Sequence, residues 1–161
     1  MKLVRSSRVI FDEQERVSKF VLERVPGDPD PIGAAIGMER GGELVGGVVF
    51  TKWSGPNVEI HAAGDTRKRW LTHEFLRAIF AFSFLQLGCS RVTAPVLSGN
   101  SASLRLCLHV GFEREARLKG IMPGEDLLYL VMWKDRCRWI KEKENGSGTK
   151  VRAADTGIFV R

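Results

Sequence analysis

Asn100, Ser103 and Cys107 stand three and four residues apart in the stretch NSASLRLCLHVGF, so on a helix one face carries an amide, a hydroxyl and a thiol. Leu104, Leu108 and Gly111 follow a neighbouring stripe, widened by Leu106 and Val110. The pattern predicts a helix that packs leucines on a sheet and shows a short polar row to a ligand. Gly111 suits a left-handed stop, and Phe112 opens an extended segment. Glu59 and His61, two apart in a strand-like run, share a face. Each of these residues also has a structural reading: Cys107 as a small buried apolar side chain, Asn100 as a simple N-cap, Glu59 as an exposed charge, His61 as a packed ring. Three histidines without HExxH and three cysteines (Cys89, Cys107, Cys137) without CxxC spacing give no reason to expect a metal.

The elements that must position these groups follow from hydropathy and turn chemistry. Lys2 to Phe11 reads as a strand, and Asp12 with Glu15 reads as the start of a helix carrying Val17, Phe20, Val21 and Val25. Pro26, Gly27, Pro29 and Pro31 form a loop. Ala34 to Arg40 and Glu43 to Trp53 make a hairpin about Gly41-Gly42, and Asn57 to Ala63 is a further strand. Asp65 and Thr66 are expected to cap a long helix with Leu71, Phe75, Leu76, Ile79, Phe80 and Phe84, closed by Gly88. Phe75, Phe80, Phe82 and Phe84 are core and helix-flank packing. Arg91 to Leu97 is a strand, the Asn100 helix follows, and Phe112 to Ile121 pairs with Asp126 to Lys134 across Pro123-Gly124. Tyr129, the sole tyrosine, reads as a sheet residue on the last of these strands.

This order predicts an α+β (mixed α/β) fold: a single central, mostly antiparallel sheet of about seven strands with helices on both faces. At 161 residues the chain makes one domain, residues 1–140, followed by a flexible tail, 141–161, whose Asn145 to Gly148 has linker composition. Apolar residues are 43% and charged residues 27%, and no apolar run approaches the roughly 20 residues of a membrane span. The odd, scattered cysteines point to a reducing cytoplasm. Of the net charge of +6, residues 1–140 carry +4, a surplus that suits an anionic ligand. Nucleic acid is permitted as a partner by that charge but not indicated, because no continuous basic stripe exists.

The element order together with NSASLRLCLHVGF resembles the GCN5-related N-acetyltransferase (GNAT) superfamily. In that family's second cofactor motif an Asn opens the helix, a small residue follows three later, and Gly-Phe closes it; Asn100, Ser103, Gly111 and Phe112 match without a gap. Ser103, an acidic residue in Val58-Glu59-Ile60, and Leu71-Thr72 are similar to the ribosomal-protein acetyltransferase branch. The segments EIHAAGD, RWLTHEFLRAIFAF, FLQLGCSRVTAPV and DLLYLVMWKDRCRW look like those of small phage- and prophage-encoded acetyltransferase-like proteins. One stretch departs from the family. Its phosphate loop, Q/R-x-x-G-x-G/A, is replaced by Arg67-Lys68-Arg69-Trp70-Leu71-Thr72, which has no glycine.

The resemblance implies transfer of an acetyl group from acetyl-CoA (coenzyme A) to an amine acceptor: a protein, a small amine or a modified base. Glu59, or else His61, would accept the amine proton, Glu59 being favoured. A backbone N–H around Ile60 to Ala63 would polarise the thioester carbonyl. Cys107 stands where many members have a Tyr acid, and Ser103 is the other donor to the departing thiolate. Arg67, Lys68, Arg69, Trp70, Leu71 and Thr72, with Asn100 and Ser103, would bind the coenzyme, the basic side chains replacing glycine amides at the phosphates. The place of action would be the cytoplasm, a host's cytoplasm for a phage protein. Two other readings stand beside this one: a non-catalytic binding module on the same fold, and a phage nucleic-acid-modifying enzyme. The oligomeric state reads as monomer or homodimer, the latter through an exposed last strand.

Overall fold

The computed structural model describes residues 6–141. The expected tail from residue 142 on, and the first residues of the expected opening strand, lie outside this range. Seven strands form one sheet in the order β1-β2-β3-β4-β5-β7-β6. They are β1 (Ser7–Ile10), β2 (Pro31–Arg40), β3 (Glu43–Thr51), β4 (Asn57–Gly64), β5 (Arg91–Leu97), β6 (Glu113–Met122) and β7 (Glu125–Trp133). Helices α1 (Gln14–Leu22), α2 (His73–Ala81) and α3 (Ser101–Val110) connect them. Every neighbouring pair is antiparallel except β4 with β5. The α+β architecture expected from the element order is therefore present.

Strand alternation divides the core between two faces. On one face Val17 and Val21 of α1 pack with Ala35 and Val49. On the other, Ile36, Met38, Val48, Phe50, Val58 and Ile60 meet the apolar sides of α2 and α3. Phe75, Phe80, Phe82 and Phe84 are all buried there. In an ordinary α-helix Phe80 and Phe84 would share a face while Phe82 pointed to the opposite side. A π turn, Phe82–Gln86, follows α2 and lets all three face inward. Its signature bond runs from Leu87 N–H to the Phe82 carbonyl at 2.9 Å, and Gly88 (φ +73°) ends it. Phe82 meets Phe50 edge-on at 4.5 Å between ring centres.

Turn chemistry behaves as read. Gly41 and Gly42 take φ +57° and +84°, the doubly positive pair of a two-residue hairpin loop joining Arg40 to Glu43. Gly111 adopts φ +119° at the end of α3. Two helix starts differ from expectation. Asp12 is not a cap: α1 begins after Glu13 with no side-chain cap bond, and Gln14 instead donates to the Phe11 carbonyl at 2.6 Å. Nor do Asp65 and Thr66 open α2. Residues 65–72 form a loop, and Thr72 is the N-cap, its hydroxyl accepting from Phe75 N–H at 3.1 Å. The Thr-x-x-Phe cap has the better geometry because Trp70 is fixed elsewhere, as described below. The last strand is also not the exposed edge. β7 lies between β5 and β6, so β6, exposed along its whole length, is the edge strand at that end of the sheet.

Glu39 ties the first elements to the sheet. Its buried carboxylate accepts from Arg8 Nε and Arg16 Nη1, each at 2.9 Å, joining β1, β2 and α1. The hydrogen bonds from Arg8 and Arg16 hold its pKa below the ordinary carboxylate value despite burial. A lowered folded-state pKa contributes stability above the unfolded-state value, near 4.3, and that contribution is lost as pH falls through the folded pKa. Glu39→Gln is therefore expected to lower the thermal midpoint at pH 7 by roughly 2–4 °C. In melts at descending pH the gap between variant and parent should close below about pH 4; a gap constant with pH would contradict this role.

Candidate active site

The parallel pair β4–β5 is short. Asn57, Val58 and Glu59 pair with Arg91, Val92 and Thr93, and the ladder stops there. The next alignments would bring Ile60 to Ala94 and His61 to Pro95, and Pro95 has no N–H to donate. The two strands instead diverge while β5 keeps its pairing to β7 as far as Leu97. The closed end is locked from the side: Asn57 donates to Thr93 Oγ1 and accepts from Arg91 Nε, both at 3.1 Å. Arg91 thus belongs to this lock, and it also pairs with Glu115 of β6. Facing strand edges without cross-strand bonds leave backbone polar groups that need a partner. A cavity of about 1480 Å³ occupies the divergence, walled by β4, β5, α3 and the loop from Pro26 to Pro31.

Glu59 is the last paired residue of β4 and sits where the cleft opens. Its side chain is 6% exposed, and Oε1 lies 3.0 Å from His61 Nε2 and 3.4 Å from Lys52 Nζ. Burial pushes the carboxyl pKa up, but the hydrogen bond from His61 and the charge of Lys52 outweigh it and hold Glu59 below the ordinary carboxylate value. The spacing of Glu59 and His61 thus does bring them together on one face, bonded to each other. Lys52 was not singled out by any sequence pattern. It follows β3, whose Thr51 pairs with Glu59, so only strand register reveals the neighbourhood. Its backbone has φ +49°, the one positive value at a non-glycine among the described residues.

The polar row of α3 also borders the cavity, through Asn100, Ser103 and Cys107. Asn100 caps the helix: Oδ1 accepts from Ser103 N–H at 3.1 Å. Burial pushes the Cys107 thiol up to about 11, partly countered by its hydrogen bond with Ser103. Tyr129 of β7 lines the same cavity from the side of Pro95. It is a sheet residue, as read, and it is also part of the cavity wall, which its distance along the chain from α3 concealed.

Loop 65–72 supplies the remaining candidates. Arg67 borders the cavity, its N–H held by Asp65 Oδ1 at 3.0 Å. Lys68 is paired with Glu43 at 3.0 Å, and Arg69 is exposed, so of the three basic residues the structure brings Arg67 alone to the cavity wall. Leu71 lines the cavity, whereas Thr72 serves as the cap of α2. Trp70 lies flat on Gly46 and Gly64, which are cross-strand partners in β3 and β4. A Cβ on Gly64 would come within 2.0 Å of the indole, and one on Gly46 within 2.5 Å. Trp70 is therefore a wall of the cleft, seated on paired glycines and edge-on to Phe75 at 6.1 Å, and it does not fill the opening.

The sequence profile described as acetyltransferase (GNAT) domain matches residues 9–113. The chain belongs to the GNAT acetyltransferase family. No curated protein matches it in sequence. Among solved structures it is similar to the spermidine N-acetyltransferase SpeG of Vibrio cholerae (TM-score 0.64, 12% identity, 82% of this chain and 96% of that one). It is also similar to a ribosomal-protein alanine acetyltransferase from Vibrio fischeri (0.60, 12%, 86% and 97%). The N-acetyltransferase PseH of Campylobacter jejuni, solved with acetyl coenzyme A, matches at 0.51 and 15% over 62% of this chain and 67% of that one. Coverage of the other chain runs from 62% in one acetyltransferase to 99% in another. At these identities the structures speak for the fold; family membership rests on the profile. The GNAT family uses acetyl-CoA. Among the described residues no cluster of His, Cys, Asp or Glu is arranged to hold a metal ion.

The glycine seat of Trp70 yields a direct expectation. Gly64→Ala leaves the indole no room and should destabilise the protein by about 1–3 kcal/mol in denaturant titration. A neutral outcome would mean that Trp70 is not fixed there.

Proposed function

We propose that this GNAT protein transfers an acetyl group from acetyl-CoA to a cationic amine, with Glu59 as the base. The observation that carries the reading is the position of an ionised, buried carboxylate at the point where β4 and β5 part. The cleft fits the coenzyme: its unpaired strand edges, Ile60 to Gly64 and Ala94 to Leu97, offer backbone partners to an extended chain with amide groups. Arg67 and the free N–H groups of the first turn of α2, at His73 and Glu74, would hold its phosphates. Asn100 and Ser103 would border its arm. When bound, acetyl-CoA supplies an activated thioester carbonyl.

Glu59 accepts the proton of the acceptor ammonium, while His61 fixes the carboxylate's orientation. A backbone N–H between Ile60 and Ala63 faces the charge that develops on the carbonyl oxygen. Cys107 plays a smaller part than its place in the motif implies. With its pKa near 11 it is a weaker acid than an ordinary thiol at about 8.5, so it stays protonated and gives the leaving thiolate little help. A thiolate of that basicity departs without an acid. Asp28 and Asp30 on the cavity wall support a cationic acceptor, whether a small amine or a protein amine. We further propose a reducing cytoplasm as the place of action, supported by three free thiols, and a phage or prophage source, supported by the segment likeness alone. The glycine-free loop favours a second reading, a binding module without turnover.

Calorimetry and product release separate the two. Acetyl-CoA is expected to bind with a micromolar dissociation constant, and free CoA thiol should appear when an amine acceptor is supplied. Glu59→Gln should lower kcat/KM by about 10²–10⁴-fold while leaving acetyl-CoA affinity intact. Binding without release in any amine panel would favour the module; no binding at sub-millimolar ligand would remove the transferase reading. Because Glu59 is held below the usual carboxylate value, it stays ionised at neutral pH. The rise of kcat/KM with pH should therefore track the acceptor amine; an inflection above pH 6 that vanishes in Glu59→Gln would show that the carboxyl is not held low.

A further inference from the structure

Lys52 combines three properties that no other described lysine shares. Its amine lies 3.4 Å from Oε1 of Glu59, its side chain is 71% exposed on the wall of the cavity, and its backbone holds a left-handed conformation. For a side-chain-bearing residue that conformation is unfavourable and persists where the surroundings impose it. Register supplies the imposition: Thr51 is paired opposite Glu59, and the turn to β4 is closed by Ser54 N–H donating to the Asn57 carbonyl at 2.9 Å. Between that pair and the Ser54–Asn57 closure, Lys52 and Trp53 stand opposite Val58 alone, and Lys52 takes the left-handed turn that absorbs the extra residue. Lys68 is bound to Glu43 outside the cavity wall, and Lys19, Lys119, Lys134 and Lys141 do not border the cavity.

An acceptor amine and the Lys52 amine have the same chemistry and need the same neighbour. We propose that Lys52 is itself an acetylation site, its ε-amine standing in the acceptor position beside Glu59 and taking one acetyl group in cis. The inference rests on the transferase reading above. The step balances with no further reactant. Glu59 takes a proton from the lysine ammonium, and the freed nitrogen forms an N–C bond to the acetyl carbonyl. The C–S bond breaks with its electron pair on sulfur, and the thiolate takes a proton to leave as CoA thiol. The product is a neutral N-acetyl lysine. The modification removes the positive charge from Glu59, leaves His61 as its partner, and opens the place next to the carboxylate for an external ammonium.

The test uses the full chain with acetyl-CoA and no added acceptor, read by intact mass and peptide mapping. One acetyl group should appear on Lys52, at a rate per chain that does not change with protein concentration, and about tenfold or more slower in Glu59→Gln. Lys52 left unmodified in protein that binds acetyl-CoA by calorimetry would overturn the proposal while leaving the transferase reading in place. So would labelling no faster than at Lys134, or labelling indifferent to Glu59→Gln. Absence of acetyl-CoA binding would remove both. A second readout needs no coenzyme: in a carbon-13 NMR titration the Glu59 carboxyl midpoint should move up in Lys52→Gln and return in Lys52→Arg. An unmoved midpoint would place the Lys52 amine away from Glu59 and overturn the proposal as well.

Discussion

The three-residue pairing of β4 with β5 is the constraint on which the rest of this molecule depends. A parallel pair that continued would bury its own backbone polar groups and leave no cleft. A pair that failed entirely would split the sheet, because β5, β7 and β6 attach to β1 through β4 solely by this seam. Asn57 and Arg91 secure the seam, while Pro95 stops the ladder by withholding a donor. The phenylalanine layer of α2 lies beneath and holds the diverging strands in one body. Stability and the open site are thus not in competition. The same short stretch of chain joins the two halves of the sheet and sets the buried Glu59 carboxylate at the point where they part.

Much of this was legible in the sequence because it depends on local rules. Period-two and period-3.6 patterns marked all seven strands and three helices, and glycine pairs marked the turns whose positive φ they adopt. The two missed helix starts show where local rules end. Asp65-Thr66 is as good a cap by type as Thr72, and a tryptophan two residues upstream of the true cap carries no signal by itself. What selects Thr72 is the pairing of Gly46 with Gly64, which creates a flat seat for Trp70 and pulls the loop across the ends of β3 and β4. The two glycines are 18 residues apart in the chain, and register alone brings them together.

The same distinction governs the site. Glu59 and His61, or Asn100, Ser103 and Cys107, lie on single elements, so periodicity places each set on one face. Lys52 and Tyr129 enter from neighbouring strands and could be found only through pairing. The three basic residues of the loop illustrate the opposite error. By type each suits a phosphate, yet Glu43, distant in sequence, claims Lys68, leaving Arg67 at the wall.

The electrostatics of the cleft are lopsided, and the asymmetry matches the demands of acyl transfer from a thioester. On the α3 side burial keeps Cys107 a neutral thiol with almost no tendency to give up its proton. On the β4 side two neighbours keep Glu59 charged although burial opposes it. Thiolates leave readily, so a strong acid adds little, whereas an ammonium is no nucleophile until a base takes its proton. A carboxylate with a depressed pKa is a weak base in water, but the comparison that matters is made inside the cleft. In the proposed reaction an external ammonium would take up the place beside Glu59 that the Lys52 amine occupies in the resting protein, so a cation would again face the carboxylate. Moving a proton from that ammonium to Glu59 would then annihilate two charges in a partly desolvated place, where separated charges are costly. Burial, which opposes the resting ion pair, favours the transfer. Placing the carboxylate at the seam of the sheet, buried by its neighbours yet open on one side, provides both conditions at once.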